Sequence, residues 1–309
     1  AGAEILSTRR NIISKERKRR KTMKKIVAIC LLLAFVFAIA FPVASCGSGE
    51  KETTTDGSST EGTTTNGTST EGTTTQETTT TVNRADTEKS EGVMTYEEYV
   101  AAELETKVVI EAYIQAKQVY SEQYTNTSLY LQDAAGAYFV YRVKCTAEEY
   151  AAFEIGKKVK VSGTKTAWSG EVEFAEGTAS VELLDGYYVA EAKDATDVLA
   201  NEEELIKLQN QFVSFKGLTV AASKDIDGND VAYLYKWNGT GSEGDDLYFY
   251  VELDGKKYQF LVESDLCGAD TDVYKAVKEL KVGDKIDVEG FLYWYNGANP
   301  HITSVKVVK

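Results

Sequence analysis

Val282-Gly283-Asp284-Lys285-Ile286-Asp287-Val288-Glu289-Gly290 repeats a pattern that the chain has already spelled at Ile155-Gly156-Lys157-Lys158-Val159-Lys160-Val161-Ser162-Gly163. In both stretches a β-branched residue and a glycine open a run in which apolar and polar positions alternate, and a second glycine closes it. Period-two alternation between such breakers is the mark of a half-buried strand. The echo extends outward: Gly156 and Gly283, Gly163 and Gly290, Trp168 and Tyr295, and Gly170 and Gly297 are all 127 residues apart. The spacing predicts one all-β module present twice.

Working outward from the first copy, Thr95 with Glu98 forms a capping box that opens a short helix reaching about Glu103. Alternating Val108, Ile110, Ala112 and Ile114 predict a strand from Lys107 to about Tyr120. A hairpin follows, with strands at 128–132 and 137–143, then a helix at 146–153 capped by Thr146. The repeated strand begins at Lys157, Ser169-Gly170 turns the chain, and Glu171 to Leu184 reads as a fifth strand. Working outward from the second copy gives the same scheme. Asn201 and Glu204 predict a capping box for a helix over 202–209, and strands are expected at 212–222, 231–237, 246–253 and 256–262. A helix at 271–280 and strands at 285–295 and 302–308 complete it. Three strands, a helix and two further strands, as read in the first copy, is the order of the OB-fold, a five-stranded Greek-key barrel. An immunoglobulin-like sandwich, with seven strands and no internal helix, fits less well. The expected fold is all-β with short helices, as two tandem OB-fold-like barrels at 91–190 and 191–309.

The chain has 309 residues and a formal net charge of −14, unevenly spread. Ten of the 34 basic and two of the 48 acidic residues precede residue 46, which leaves 24 against 46, a net of −22. A surface so acidic repels a phosphate backbone, so nucleic acid is an unlikely partner.

The basic excess lies in the N-terminal region. Met23-Lys24-Lys25 followed by the uncharged apolar run from Ile26 to Phe41 reads as a secretory signal over 23–45, preceded at 1–22 by an upstream extension. A permanent membrane anchor would need roughly 20 apolar residues, and a basic nucleic-acid-binding arm at Lys15 to Lys21 is the weaker alternative. Residues 46–90 are expected to be a disordered Thr-rich tether, because they offer almost nothing to bury. Cys145 and Cys267 fall at matching places in the two modules and read as small buried thiols, although a secreted location would permit a bridge.

The sequence Val43-Ala44-Ser45-Cys46 resembles the lipobox of bacterial lipoproteins. The resemblance implies that Cys46 carries a diacylglycerol thioether, which makes membrane lipid a partner and places the protein outside the cytoplasm. Tyr96-Glu97-Glu98-Tyr99, Leu129-Tyr130-Leu131-Gln132-Asp133, Trp168-Ser169-Gly170-Glu171-Val172-Glu173 and Gly290-Phe291-Leu292-Tyr293-Trp294-Tyr295 are similar to the tandem OB-fold-like modules of surface lipoproteins in Firmicutes and related anaerobes. That second resemblance implies fold and location, and no activity.

Little in the sequence points to catalysis. His301 is the only histidine, and beside Pro300 it reads as a structural turn residue. Glu171 and Glu173 share a strand face and could form an acid/base pair, but in so acidic a chain a solvated face is the simpler reading. Asp225-Ile226-Asp227-Gly228-Asn229-Asp230 is similar to a calcium loop with its glycine misplaced and Lys236 where the closing glutamate belongs, so a tight turn explains it better. No cofactor is expected. The remaining signal is aromatic. Tyr235, Trp237, Tyr248 and Tyr250 alternate on neighbouring strands, Tyr293, Trp294 and Tyr295 cluster at the end of the repeated strand, and Trp168 marks the equivalent place in the first module. Neighbouring strand residues face opposite ways, so some of these rings must lie outside the core. OB-folds use such faces to bind oligosaccharides and oligonucleotides. The expected function is a lipid-anchored, non-catalytic binding module for carbohydrate or another surface polymer, with Trp168, Trp237, Tyr293, Trp294 and Tyr295 as candidate ligand contacts. A structural or protein-interaction lipoprotein is the first alternative, and a nucleic-acid-binding accessory protein the second.

The lipobox reading makes Cys46 the sole lipid acceptor. Cys46→Ser is expected to abolish incorporation of labelled fatty acid in cells, and continued labelling would refute that reading.

Overall fold

A computed structural model describes residues 83–308. The signal segment, Cys46 and most of the tether lie outside the described residues. Among those described, no helix is long and apolar enough to cross a membrane.

The first barrel is preceded by α1 (Tyr96–Ala101), whose capping box forms as expected. Strands β1 (Lys107–Lys117), β2 (Asn126–Gln132) and β3 (Ala137–Lys144) lead to α2 (Ala147–Ala152), also closed by a full capping box from Thr146 and Glu149. Then come β4 (Lys157–Trp168), β5 (Glu171–Phe174) and β6 (Ser180–Tyr187). The strand order β1-β2-β3-β5-β4 closes on itself because β4 also pairs with β1. β3 and β5 run parallel, the Greek-key pairing that an OB-fold requires. The expected fifth strand is in fact two: β5 completes the barrel beside β3, and β6 pairs only with the other half of β4. The break falls at the turn between Ala175 and Thr178, which is stabilised by the Thr178 hydroxyl bonding to Ala175 O at 2.9 Å.

The connector carries β7 (Lys193–Asp194) and α3 (Glu202–Leu205). The expected capping box here forms only by half. Asn201 accepts a bond from Glu204 N at 3.4 Å, no reciprocal bond closes the box, and the α-helix gives way to a 3₁₀ turn after one turn. The second barrel follows with β8 (Phe212–Ala221), the short pair β9 (Ser223–Lys224) and β10 (Asp230–Val231), then β11 (Tyr233–Tyr235), β12 (Leu247–Leu253) and β13 (Lys256–Val262). Helix α4 (Asp272–Glu279) precedes β14 (Lys285–Phe291) and β15 (His301–Val308). The order β12-β13-β15-β14-β8 closes through β12 and β8, with β13 and β15 parallel at Leu261 and His301. The chain therefore folds as two closed five-stranded OB-fold barrels in tandem.

Each barrel has its own core. Ile110, Leu129, Leu131, Val159 and Val161 fill the first, and Phe215, Phe249, Phe260, Ile286 and Val288 the second. The 127-residue echo has a structural cause. Gly156 and Gly283 hold φ of 85° and 95° at the entrance to the fourth strand, and Gly170 and Gly297 hold 96° and 141° in the turn beyond it. Such positive φ favours glycine. Gly163 and Gly290 serve close approach instead. A Cβ on Gly290 would lie 2.2 Å from His301 O and 2.8 Å from Ile302 Cα, whereas one on Gly163 would meet the ring of Phe174 at 2.8 Å and Ala179 Cα at 3.0 Å.

Two expected boundaries shift. The tether was expected to run to residue 90, yet residues 83–90 are tied to the first barrel. Asp86 N donates to Tyr113 Oη at 2.8 Å, Asp86 pairs with Lys158 at 2.9 Å, and Lys89 pairs with Asp133 at 2.6 Å. β14 stops at Phe291 instead of Tyr295, because Leu292 turns away to exchange backbone bonds with Asn210 and Gln211.

Gly290→Ala must displace backbone, not a side-chain tip. We expect it to lower stability by about 1 to 3 kcal/mol and Gly163→Ala to cost less, as measured by denaturant unfolding.

Candidate functional site

In the first barrel, the strand alternation that sends Leu129, Leu131, Tyr138 and Val140 inward sends Tyr130, Phe139 and Tyr141 outward. The second barrel covers these outward rings. Tyr130 packs on Phe291 with centroids 4.6 Å apart, Phe291 on Phe212 at 5.2 Å, and Phe139 edge-on against Tyr293 at 5.4 Å. Tyr293 stacks on His301 at 4.4 Å, and His301 Nδ1 lies 2.7 Å from Tyr130 Oη. The lone histidine, expected in a turn, instead holds the first position of β15 and lies buried in the wall between the barrels. Burial lowers its pKa to about 3, so the ring is neutral.

Polar groups finish the seam. Gln209 reads the edge of β5, accepting from Val172 N at 3.2 Å and donating to Gly170 O at 2.9 Å. Glu171 Oε2 accepts from Trp294 N at 2.9 Å, and Asn296 N donates to Ser169 O at 2.6 Å. The reading of Glu171 and Glu173 as a solvated strand face is therefore overturned. They are 0% and 5% exposed, because the face of β5 that carries them is the docking face. Burial raises Glu171 far above the usual carboxylate range, and the nearby Glu173 charge adds to it. Glu173 rises to about 7 through burial and the charge of Glu176. Across the seam Glu263, which accepts from Gln118 Nε2 at 3.0 Å, rises to about 8 through burial and the charges of Asp265 and Asp246. Glu171 Oε1 and Asn210 Oδ1 have no protein partner although the two side chains adjoin. A proton on Glu171 would supply the missing donor.

The five candidate ligand residues divide. Trp168 and Tyr295 are 56% and 52% exposed, and each immediately precedes a residue of the Asn296-to-Ser169 bond, where the matching turns of the two barrels meet. Trp237 is 70% exposed just beyond β11. Tyr293 is half-buried in the seam against His301. Trp294 is corrected from ligand contact to core residue: at 4% exposure it packs in the second barrel, with its ring against Gly170 and its backbone bridged to Ala298.

Sequence reasoning missed the asymmetry between equivalent faces. The outer face of β2 and β3 is covered, while that of β12 and β13 remains partly open. There Tyr248 and Tyr250 are half-buried, Gln259 Nε2 donates to Tyr250 Oη at 2.9 Å, and the Lys257 ammonium lies 4.8 Å from the Tyr250 ring centroid. Elsewhere, Asp225 spends its carboxylate on Asp227 N, Asn229 N and the Asn229 amide, as a tight turn requires. Cys145 and Cys267 are free, buried thiols. Among the described residues no group of three or more His, Cys, Asp or Glu is placed to hold a metal. The arrangement offers flat aromatic faces, an amide and a cation, which suit noncovalent binding.

The seam carboxyls and His301 set opposite limits on stability. Glu171, Glu173 and Glu263 bind protons more tightly folded than unfolded, so their stabilising effect is full below about 4.5 and is lost as pH rises, for Glu173 through about 7 and for Glu263 through about 8. His301 contributes fully above 6.5 and loses its contribution as pH falls toward about 3. Three carboxyls outweigh one imidazole, so denaturant melts should find stability falling from about pH 4.5 toward pH 8, and Glu173→Gln with Glu263→Gln should flatten that decline.

No protein-family model matches this chain, and no curated protein matches it. Solved structures do. The chain is similar to the Ifi202 HINa domain in complex with a 20-base-pair double-stranded DNA, at 13% identity over 66% of this chain and 100% of that one, with a TM-score of 0.30. It is similar to a murine DNA-binding protein bound with double-stranded DNA, at 13% identity over 65% and 95%, with a TM-score of 0.30. It is also similar to the aspartyl-tRNA synthetase of Entamoeba histolytica, at 18% identity over 41% of this chain and 30% of that one, with a TM-score of 0.25. The fold assignment rests on the strand pairing described above.

Proposed function

We propose that the two barrels act as a non-catalytic binding module, held outside the cell by lipid on Cys46, whose ligand is a carbohydrate or another uncharged surface polymer. The polymer lies along Tyr250, Tyr248, Tyr295 and Trp168, with Trp237 at the margin. The observation that carries this reading is the exposure of Trp168, Trp237 and Tyr295, each more than half open to solvent. Aromatic rings of this size usually go into cores, and a protein that leaves several exposed beside one open strand face exposes surface that packing does not use. Flat rings suit the apolar faces of sugars, while the net charge of −22 beyond residue 45 works against a polyanion.

The test is a glycan array probed with the full chain, followed by titration of a binding glycan at increasing salt. Binding should change little with salt. Trp168→Ala and Tyr295→Ala should each weaken it by about 1 to 3 kcal/mol, as for base stacking on aromatic residues, without lowering the melting temperature. Trp294→Ala should instead cost about 3 to 5 kcal/mol of folding stability. Single-stranded DNA binding that falls steeply with salt would replace this reading with the nucleic-acid one.

A further inference from the structure

The aromatic ridge leaves another part of the seam unused. Where β1 and the end of α2 in the first barrel approach Phe212 and Phe291 in the second, the surface folds into a groove of about 500 Å³. Its lining is apolar, including Ala116, Val119, Ile155, Phe212 and Leu266. Val119 and Ile155 are among the exposed large apolar residues of the protein, although Val119 N is fixed to the second barrel by a 2.7 Å bond to Asp265 O. A concave apolar surface of this size at the junction of two domains is where small molecules commonly bind. The polymer reading above makes no use of it.

Lys117 is the one charged residue that lines this groove. Its ammonium lies 4.0 Å from the Tyr150 ring centroid and donates to Tyr150 O at 2.7 Å, its one hydrogen bond among the described residues. No carboxylate among those residues forms an ion pair with it, although many other lysines of the barrels, such as Lys89, Lys158, Lys216 and Lys278, are paired. Desolvation lowers its pKa, and the charge of Glu154 only partly opposes this. A partly desolvated ammonium gains from an anion that brings its own apolar body.

We propose that this groove is a second binding site, for an amphipathic monocarboxylate whose apolar body lies on Val119, Ile155, Phe212 and Leu266 and whose carboxylate meets the Lys117 ammonium. An apolar body accounts for the exposed aliphatic surface, and a single negative head complements the single unpaired cation. The site is separate from the aromatic ridge and does not depend on the polymer reading.

The probes are decanoate, decan-1-ol and decyltrimethylammonium, titrated calorimetrically into the full chain below their micellar concentrations. Decanoate should saturate one site, decanol should bind about tenfold more weakly, the loss of one charge-assisted contact, and the cation should not bind. Lys117→Met keeps the apolar stem and should reduce decanoate to the affinity of decanol while leaving decanol unchanged. Ile155→Asp, at an exposed position, should abolish binding of both without lowering the melting temperature. Non-saturable decanoate binding, equal affinity for all three probes, or an unchanged decanoate affinity in Lys117→Met would each overturn the proposal.

Discussion

The outward face of β2, β3 and β5 cannot remain in water, and the rest of the structure follows from that constraint. Tyr130 and Phe139 are almost fully buried beside Glu171, and what buries them is the end of β14 with the turn after it. Removing the aromatic area from water drives the docking. The polar groups swept in with it must then find partners, which explains why Gln209, Asn210 and Gln132 reach across to backbone atoms of the opposite barrel. The raised carboxyl pKa values are a consequence of the same burial. A carboxylate placed in such a wall without a cation gains more by keeping its proton than by ionising.

Much of the fold was legible because the barrel strands obey period two and the turns need glycine. Gly156, Gly163, Gly283 and Gly290 each answer a backbone demand that a single sequence displays directly. The seam was not legible, and the reason is physical. Glu171 and Glu173 alternate with inward residues just as solvent-facing residues do, and nothing local distinguishes a face open to water from one covered by a distant turn. Trp294 misled for a related reason. Read as part of a strand it sits opposite Tyr293 and Tyr295, but Leu292 leaves the sheet to bond with Asn210 and Gln211, and the freed segment folds Trp294 back under Gly170. The exposed candidates Trp168 and Tyr295 were visible through the repeat, yet the meeting of their turns emerges only from the Asn296-to-Ser169 bond.

The seam also bears on the proposed ligand surface. Trp168 and Tyr295 belong to different barrels, and their separation is set by a bonded, packed interface instead of a linker. A ligand that stacks on both would meet a prearranged surface and would not have to order two mobile domains first.

The covered face of the first barrel has a consequence for stoichiometry. The chain contains the same fold twice, and a tandem array ordinarily multiplies contact with a repetitive polymer. Here one copy spends its strand-two and strand-three face on holding the other, so duplication yields one open face and not two. Under the proposed binding role such a molecule would be univalent along that face, and avidity would have to come from many copies held side by side.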